Sequence, residues 1–220
     1  MSRCYYAFVV PPNEDRGLTR ASESLIQIVD AALAEATRKS GDRLACRPGC
    51  TECCMGPFPI SQLDARRLRE GLERLGERDA ATASRVRRRA RESALRLGPE
   101  FPGDVRTGVL GEGGDAEEQF ADFADSEPCP ALDPGSGLCD LYAARPLACR
   151  TFGQPVRVGA AVGVCELCFQ GAGEEEIAAC AAEIDVDALE APLLGRFEES
   201  GGAGGRTIVT FALAMKAQPR

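Results

Sequence analysis

The chain has 220 residues, 44% of them hydrophobic, with 11 cysteines, no histidine, no tryptophan and a formal net charge of −8. That length suits one domain with a real apolar core, and no apolar run approaches the roughly 18 residues of a membrane span. Without histidine, imidazole acid–base catalysis, Ser-His and Cys-His nucleophile pairs and every His-containing metal site are excluded, which leaves sulfur and carboxylates.

The first apolar stretch, Cys4 to Val10, lies at the lower limit for a signal-peptide core and lacks a small-residue cleavage site, so a cytoplasmic protein is expected. In a reducing compartment an odd number of clustered cysteines points to metal or catalysis rather than to disulfides. From Asp15 to Lys39, Leu18, Leu25, Ile28, Val29 and Leu33 form one helical stripe, closed by Gly41. After the first cysteine group, Ser61 with Asp64 three residues on reads as an N-cap and a variant capping box. A helix should start near residue 62, carry Leu63, Leu68, Leu72 and Leu75, and end or bend at Gly76. A third helix over 79–97 sets Ala83, Val86, Ala90, Ala94 and Leu97 against a face of arginines, and Gly98-Pro99 stops it.

Residues 98–119 have the composition of a mobile loop, and 129–154 that of an irregular, turn-rich segment with a turn at 133–137. Short extended pieces fit 155–165. A fourth helix is expected from Glu174 to Glu190, with three acids in its first turn at the positive end of the dipole. Gly201 to Gly205 is a linker, and Thr207 to Met215 suits a strand or a short helix equally. The fold class implied is mostly α, with helices packed around an irregular cysteine-rich metal-binding core. Its divisions are an N-terminal helical segment (1–43), a cysteine-cluster domain with inserted Arg-rich helices (44–172), and a C-terminal helix and tail packing on the same domain (173–220).

Residues 64–97 hold eleven arginines against six acids in an otherwise acidic chain. Such a face is a solvated helix surface or a dock for an anionic protein partner. No aromatic residue is interleaved, so single-stranded nucleic acid has no stacking platform.

The first cysteine group reads Cys46-Arg-Pro-Gly-Cys50-Thr-Glu-Cys53-Cys54, where Pro48 and Gly49 supply the turn that wraps sulfurs toward one centre. Thiolates must lose their protons, and a bound cation is the electrostatic reason to crowd four of them together. Adjacent Cys53 and Cys54 are expected to point apart, and so not both to serve one mononuclear metal. Cys129, Cys139 and Cys149 follow at gaps suited to ligands from separate turns, and Cys165-Glu-Leu-Cys168 has knuckle spacing. Cys180 lies on the apolar stripe of the fourth helix and should be buried as a small hydrophobe, and Cys4 gets a similar reading.

The ordered segments Cys-x3-Cys-x2-Cys-Cys, Cys129-Pro-x-Leu, Gly137-x-Cys-x-Leu-Tyr142 and Arg145-Pro-x-x-Cys-Arg-x-Phe152 resemble the YkgJ-type cysteine-cluster family over roughly residues 44–170. The resemblance implies a zinc- or iron-chelating domain with Cys46, Cys50, Cys53, Cys54, Cys129, Cys139 and Cys149 as metal ligands. Arg145, Pro146 and Arg150 match the same pattern. The residue reading adds Cys165 and Cys168. The resemblance extends to the cysteine cluster of flagellin lysine-N-methylase, which is linked to an iron–sulfur centre. All-thiolate ligation suits iron–sulfur clusters as well as zinc, with the irregular spacing leaning slightly to the cluster, and the number of thiols allows two centres. Cys46, Cys50 and Cys53 also reproduce the spacing of radical S-adenosylmethionine enzymes, but Glu52 stands where those carry an aromatic residue, and no alternation of strands and helices suggests a barrel. Phosphate-loop, dinucleotide and serine-hydrolase motifs are absent. Three functions follow: a cysteine-ligated metal-binding protein, a cluster-dependent protein-modifying enzyme, or an interaction module using the Arg-rich helix around a structural metal.

Overall fold

The buried positions of the first helix, Leu18, Leu25, Val29, Leu33 and Ala36, repeat at helical spacing along α1 (Pro12–Ser40). Ile28, counted on that stripe from the sequence, is instead 52% exposed. The computed structural model describes residues 12–215, with side chains from residue 16. Cys4 lies outside the described residues.

Ser61 caps α2 (Gln62–Arg78) as expected, its Oγ accepting the Asp64 amide at 3.1 Å. Only that half of the capping box forms, because the Asp64 carboxylate is used elsewhere. α2 runs past Gly76, and α3 (Ala80–Leu97) starts at Asp79, whose carboxylate accepts the Thr82 amide at 3.0 Å. The two helices form an antiparallel pair whose inner faces supply Leu68, Leu72, Ala83, Val86 and Ala90 to the first core cluster.

The segment expected as a mobile loop holds regular structure. It contains an antiparallel hairpin of β2 (Gly103–Asp104) and β3 (Val109–Leu110), then α4 (Gly114–Ala121). Glycines there serve the turns, and Asp115 and Glu117 sit in the first turn of α4 where the helix dipole favours them. Next come α5 (Leu147–Thr151) and a hairpin of β4 (Val156–Val158) and β5 (Ala161–Gly163), where extended pieces were expected.

The single fourth helix is not formed. α6 (Glu174–Cys180) stops early, residues 181–185 are extended, and α7 (Val186–Glu199) starts afresh under the Asp185 cap and passes through Pro192. The break arises because Ala182 pairs in parallel with Val156, its amide donating to Pro155 O at 2.8 Å and its carbonyl accepting the Arg157 amide at 3.1 Å. A strand-like pairing on both sides of one residue outweighs local helix propensity. Cys180 therefore ends a short helix and is only partly buried, its Sγ 3.5 Å from Lys39 O, rather than sitting on a buried stripe.

The tail is both things the sequence allowed. β6 (Arg206–Thr207) pairs antiparallel with β1 (Ile60–Ser61), and α8 (Val209–Ala214) inserts Ala212 and Leu213 beside α2 and α3. A second cluster joins α1 to Leu147, Val156 and Ala182, and a third stacks Phe101 on Phe211 at 4.2 Å between ring centroids. The architecture is mostly α, with eight α-helices and three two-stranded sheets among the described residues. Among these, no helix is long and apolar enough to cross a membrane.

One polar link joins α7 to α2. Ser61 Oγ donates to Glu190 Oε1 at 2.7 Å, and Glu190 is only 8% exposed. Burial, followed by the charge of Asp64, raises the Glu190 pKa above its ordinary 4.5. A raised carboxyl pKa contributes stability that is complete below the unfolded value and is lost as pH climbs through the folded one. Glu190→Gln keeps an acceptor for Ser61 and removes the buried charge. Its Tm is expected to exceed the wild-type value at pH 7, with the gain vanishing below about pH 4. A lower Tm at pH 7 would show that the charge itself is needed.

Candidate metal centre

Nine of the ten described cysteines fall into two spatial groups, and the division cuts through the first sequence cluster. In the outer group, Cys50 N donates to Arg47 O at 2.9 Å across Pro48-Gly49, with Gly49 at φ +94°. Proline followed by a left-handed glycine is the signature of a type II turn, which brings the Cys46 and Cys50 side chains round. A second turn does the same downstream, Cys168 N donating to Cys165 O at 2.9 Å. The turns are tied together by Phe169 N donating to Arg43 O at 2.8 Å and Ala45 N to Cys168 Sγ at 3.4 Å. The Cys46 thiol lies over Gly153, where any Cβ would stand 2.2 Å from the sulfur, so only glycine admits it.

The inner group begins one residue after Thr51. A 3-10 turn over Glu52–Cys54 places the Cys53 and Cys54 sulfurs 4.0 Å apart, close together rather than pointing away from each other as expected for neighbours. Cys54 O accepts the Cys129 amide at 2.7 Å, and Met55 bridges Pro128. Leu132 pairs with Cys139 across the expected turn, where Asp133 Oδ2 accepts from the Ser136 amide and hydroxyl. Cys149 rides on α5. Cys53, Cys129 and Cys149 together line a cavity of about 20 Å³, and Cys129 and Cys139 pack against the first core cluster.

Helix side chains fix this loop. Arg89 of α3 donates from Nε to Pro130 O at 2.9 Å and from Nη2 to Asp140 Oδ2 at 2.6 Å, so it holds the residues following both Cys129 and Cys139. Asp64, buried in α2, accepts the Leu147 amide at 3.0 Å at the start of α5 and pairs with Arg67. Arg150, on α5, donates from Nη1 to both Asp30 oxygens at 2.7 and 2.8 Å, from Nη2 to Ala143 O at 2.7 Å and from Nε to Arg145 O at 3.1 Å. Arg145 stacks on the Tyr142 ring at 3.6 Å.

Six of the thiols are biased toward their protonated form. Burial, then the charges of Cys168 and Cys50, push the Cys46 thiol up to about 12. Burial likewise raises Cys129 to about 12 and Cys149 well above its ordinary value, with other members of the inner group adding. Cys53 is raised first by its hydrogen bond with Cys54, against which the Arg145 charge works. Cys139 and Cys165 are raised mainly by burial. Crowded, desolvated thiols of this kind give up their protons only to a cation that replaces them.

A family model described as "Putative zinc- or iron-chelating domain" (CxxCxxCC) matches residues 45–168, more than half of the chain. The chain belongs to the CxxCxxCC family. No curated protein and no solved structure matches it.

The CxxCxxCC match starts one residue before Cys46 and ends at Cys168, so it spans both groups. As placed, no three or more Cys, Asp or Glu side chains among the described residues form a set that could hold a metal ion. The fit is therefore judged by donor chemistry. All the donors gathered are sulfur, from cysteines that are all free, which suits zinc and iron alike. Sequence reasoning missed the residues that hold the donors in place. Asp30 and Asp140 read as ordinary acids, Asp64 as the second half of a capping box, and Arg89 as one of a basic face. One signal was available: an α-helix beginning after Pro146 needs an outside acceptor for its first amide, and a buried carboxylate is the usual solution.

Arg150→Ala would leave two carbonyls and Asp30 without their donor beside Cys149. A loss of about 2–3 kcal/mol in unfolding free energy is expected, together with loss of bound metal, measured by denaturant titration and elemental analysis of the same samples. Unchanged stability would show that the Cys149 turn is held by the core alone.

Proposed function

We propose that the protein is a cysteine-ligated metal-binding protein in which Cys46, Cys50, Cys53, Cys54, Cys129, Cys139, Cys149, Cys165 and Cys168 supply the candidate ligands for an iron–sulfur cluster or zinc, in a cytoplasmic setting that keeps thiols reduced. The observation that carries the proposal is convergence: thiols from residue 46 to residue 168 come together in two groups that contain no histidine, the inner one bound to the helices by Arg89, Asp64 and Arg150 and the outer one closed by Phe169 N on Arg43 O. All-thiolate donors from irregular turns lean toward an iron–sulfur cluster, while the two-turn outer group has the spacing of a structural zinc knuckle. Anaerobic purification with a visible spectrum and assay of iron, zinc and acid-labile sulfide tests this. Bound metal should be present, and its removal by chelation should unfold residues 44–170. Unchanged Tm after thorough demetallation would sink the structural role of the metal.

A second reading is a cluster-dependent protein-modifying enzyme, such as a lysine N-methylase-like protein. It draws support from an open cleft of about 1460 Å³ lined by Cys165, Glu52, Glu166, Glu183, Asp185 and Glu190. An acidic cleft beside a thiol group suits a basic side chain. A lysine-rich peptide is expected to bind there with an affinity that falls as salt rises, and absence of binding leaves the metal centre as the whole of the function. The third reading, a module docking through the Arg-rich helix, loses support where Arg89 turns inward to Asp140.

A further inference from the structure

We infer that the protein carries two separate four-thiol centres, an outer one built from Cys46, Cys50, Cys165 and Cys168 and an inner one built from Cys53, Cys129, Cys139 and Cys149, with Cys54 a ligand of neither. This rests on the metal-binding reading above and says how the cysteines are shared.

The run Cys-x3-Cys-x2-Cys-Cys looks like one site in sequence but is two halves in space. Its first half, ending at Cys50, is tied to the far end of the domain through Phe169 N to Arg43 O at 2.8 Å and Ala45 N to Cys168 Sγ. Its second half is tied to the middle of the domain through Cys129 N to Cys54 O at 2.7 Å and the Met55–Pro128 bridge. The chain changes allegiance at Thr51, whose carbonyl accepts the Cys54 amide at 2.7 Å and starts the 3-10 turn. Two turns with opposed backbone partners present their sulfurs to different loops.

Each group then counts four, the number that a tetrahedral zinc site or a four-iron cluster takes from protein. The outer spacings, three and two residues between thiols, are those of knuckles, each sharing one metal from one turn. The inner group draws one thiol from each of four segments. The two groups also differ in surroundings. Cys46 is exposed, whereas Cys53, Cys129 and Cys149 share a cavity walled by Phe58, Leu97 and Pro130. Rotation of the thiols about their Cα–Cβ bonds is what each set needs to close on an ion.

Cys54 is the fifth thiol near the inner set. Its sulfur lies 4.0 Å from that of Cys53. Cys129, Cys139 and Cys149 all stand within electrostatic reach of Cys53, and Cys149 of Cys129 and Cys139 as well, whereas the contact of Cys54 with the set is with Cys53, and a centre filled by those four thiolates needs no fifth.

The test uses the full chain purified without oxygen. Metal and sulfide content is compared for the wild type, Cys50→Ser with Cys165→Ser, Cys129→Ser with Cys149→Ser, and Cys54→Ser. Each double variant should keep the complement that the other loses, the two losses should sum to the wild-type content, and Cys54→Ser should lose nothing. Complete loss of metal from a folded outer-group variant, or partial loss from Cys54→Ser, overturns the division. Because the inner variant may unfold, wild-type protein is also titrated with chelator under native mass spectrometry, with iodoacetamide labelling at each step. Two release steps are expected, the first exposing only Cys46, Cys50, Cys165 and Cys168 to label. Simultaneous labelling of both quartets overturns the division, whereas a wild type holding no thiol-bound metal overturns the metal-binding reading on which it rests.

Discussion

Between Cys129 and Phe152 the backbone has no regular structure beyond isolated bridges, a 3-10 turn and the short α5, and its local turns leave the carbonyls of Pro130, Ala143 and Arg145 and the amide of Leu147 to side chains. A segment like this can be packed against a core only if its polar groups find partners from outside. Three charged side chains, Asp64, Arg89 and Arg150, supply them. Asp64 and Arg89 reach the backbone within two residues of a cysteine, at Leu147 before Cys149 and at Pro130 after Cys129, and Arg150, itself next to Cys149, reaches the carbonyls of Ala143 and Arg145 in the turn that precedes α5. The helices thus act as a frame, and the position of the inner thiols depends on these charged hydrogen bonds more than on hydrophobic contact.

The same frame creates an electrostatic tension that a cation resolves. Burial and mutual proximity favour the protonated thiols, while backbone hydrogen bonds and the Arg145 charge work the other way at Cys53 and Cys139. A fold evolved for inert buried cysteines would scatter them as small hydrophobes. Here they are concentrated, kept free of disulfides, and left with one nearby positive charge, which is far short of what several thiolates would need. The arrangement makes physical sense with a metal as the missing positive charge, in agreement with the zinc- or iron-chelating description of the family.

Much of this was legible in the sequence. The cap at Ser61 and the stripes of α2 and α3 gave those helices to within two residues, because local propensity, capping and burial agree there. The stripe of α1 was right apart from Ile28. The break at residues 181–185 was invisible, since its cause is a long-range pairing of Ala182 with Val156 that no local pattern records. The hairpin and α4 within 98–121 were hidden by glycine, which marks turns without saying what lies between them. At the site, cysteine order and spacing marked the candidate donors, but their grouping depends on which distant loop each half of Cys46–Cys54 meets. That is a tertiary fact, carried by two backbone hydrogen bonds.

The grouping bears on how the molecule assembles. Under the proposed division each centre cross-links the chain across more than 70 residues: Cys53 and Cys129 belong to the inner one, and Cys50 and Cys165 to the outer. By the chain-entropy argument used for disulfides, closing loops of about 100 residues with a covalent link removes roughly 4–5 kcal/mol of unfolded-state freedom, and a metal held by thiolates from both ends acts in the same sense. The inner centre needs α2, α3 and α5 already in place, since Arg89, Asp64 and Arg150 set its loops. The outer centre needs only two tight turns brought together. Order of assembly follows from this difference: the inner thiols become a site when the helical frame has formed, and the outer pair of turns then fastens the end of the domain to its beginning. The outer centre, which the helix side chains do not hold, can lose its metal without unmaking the frame, whereas loss from the inner one removes the reason its thiols can remain buried together.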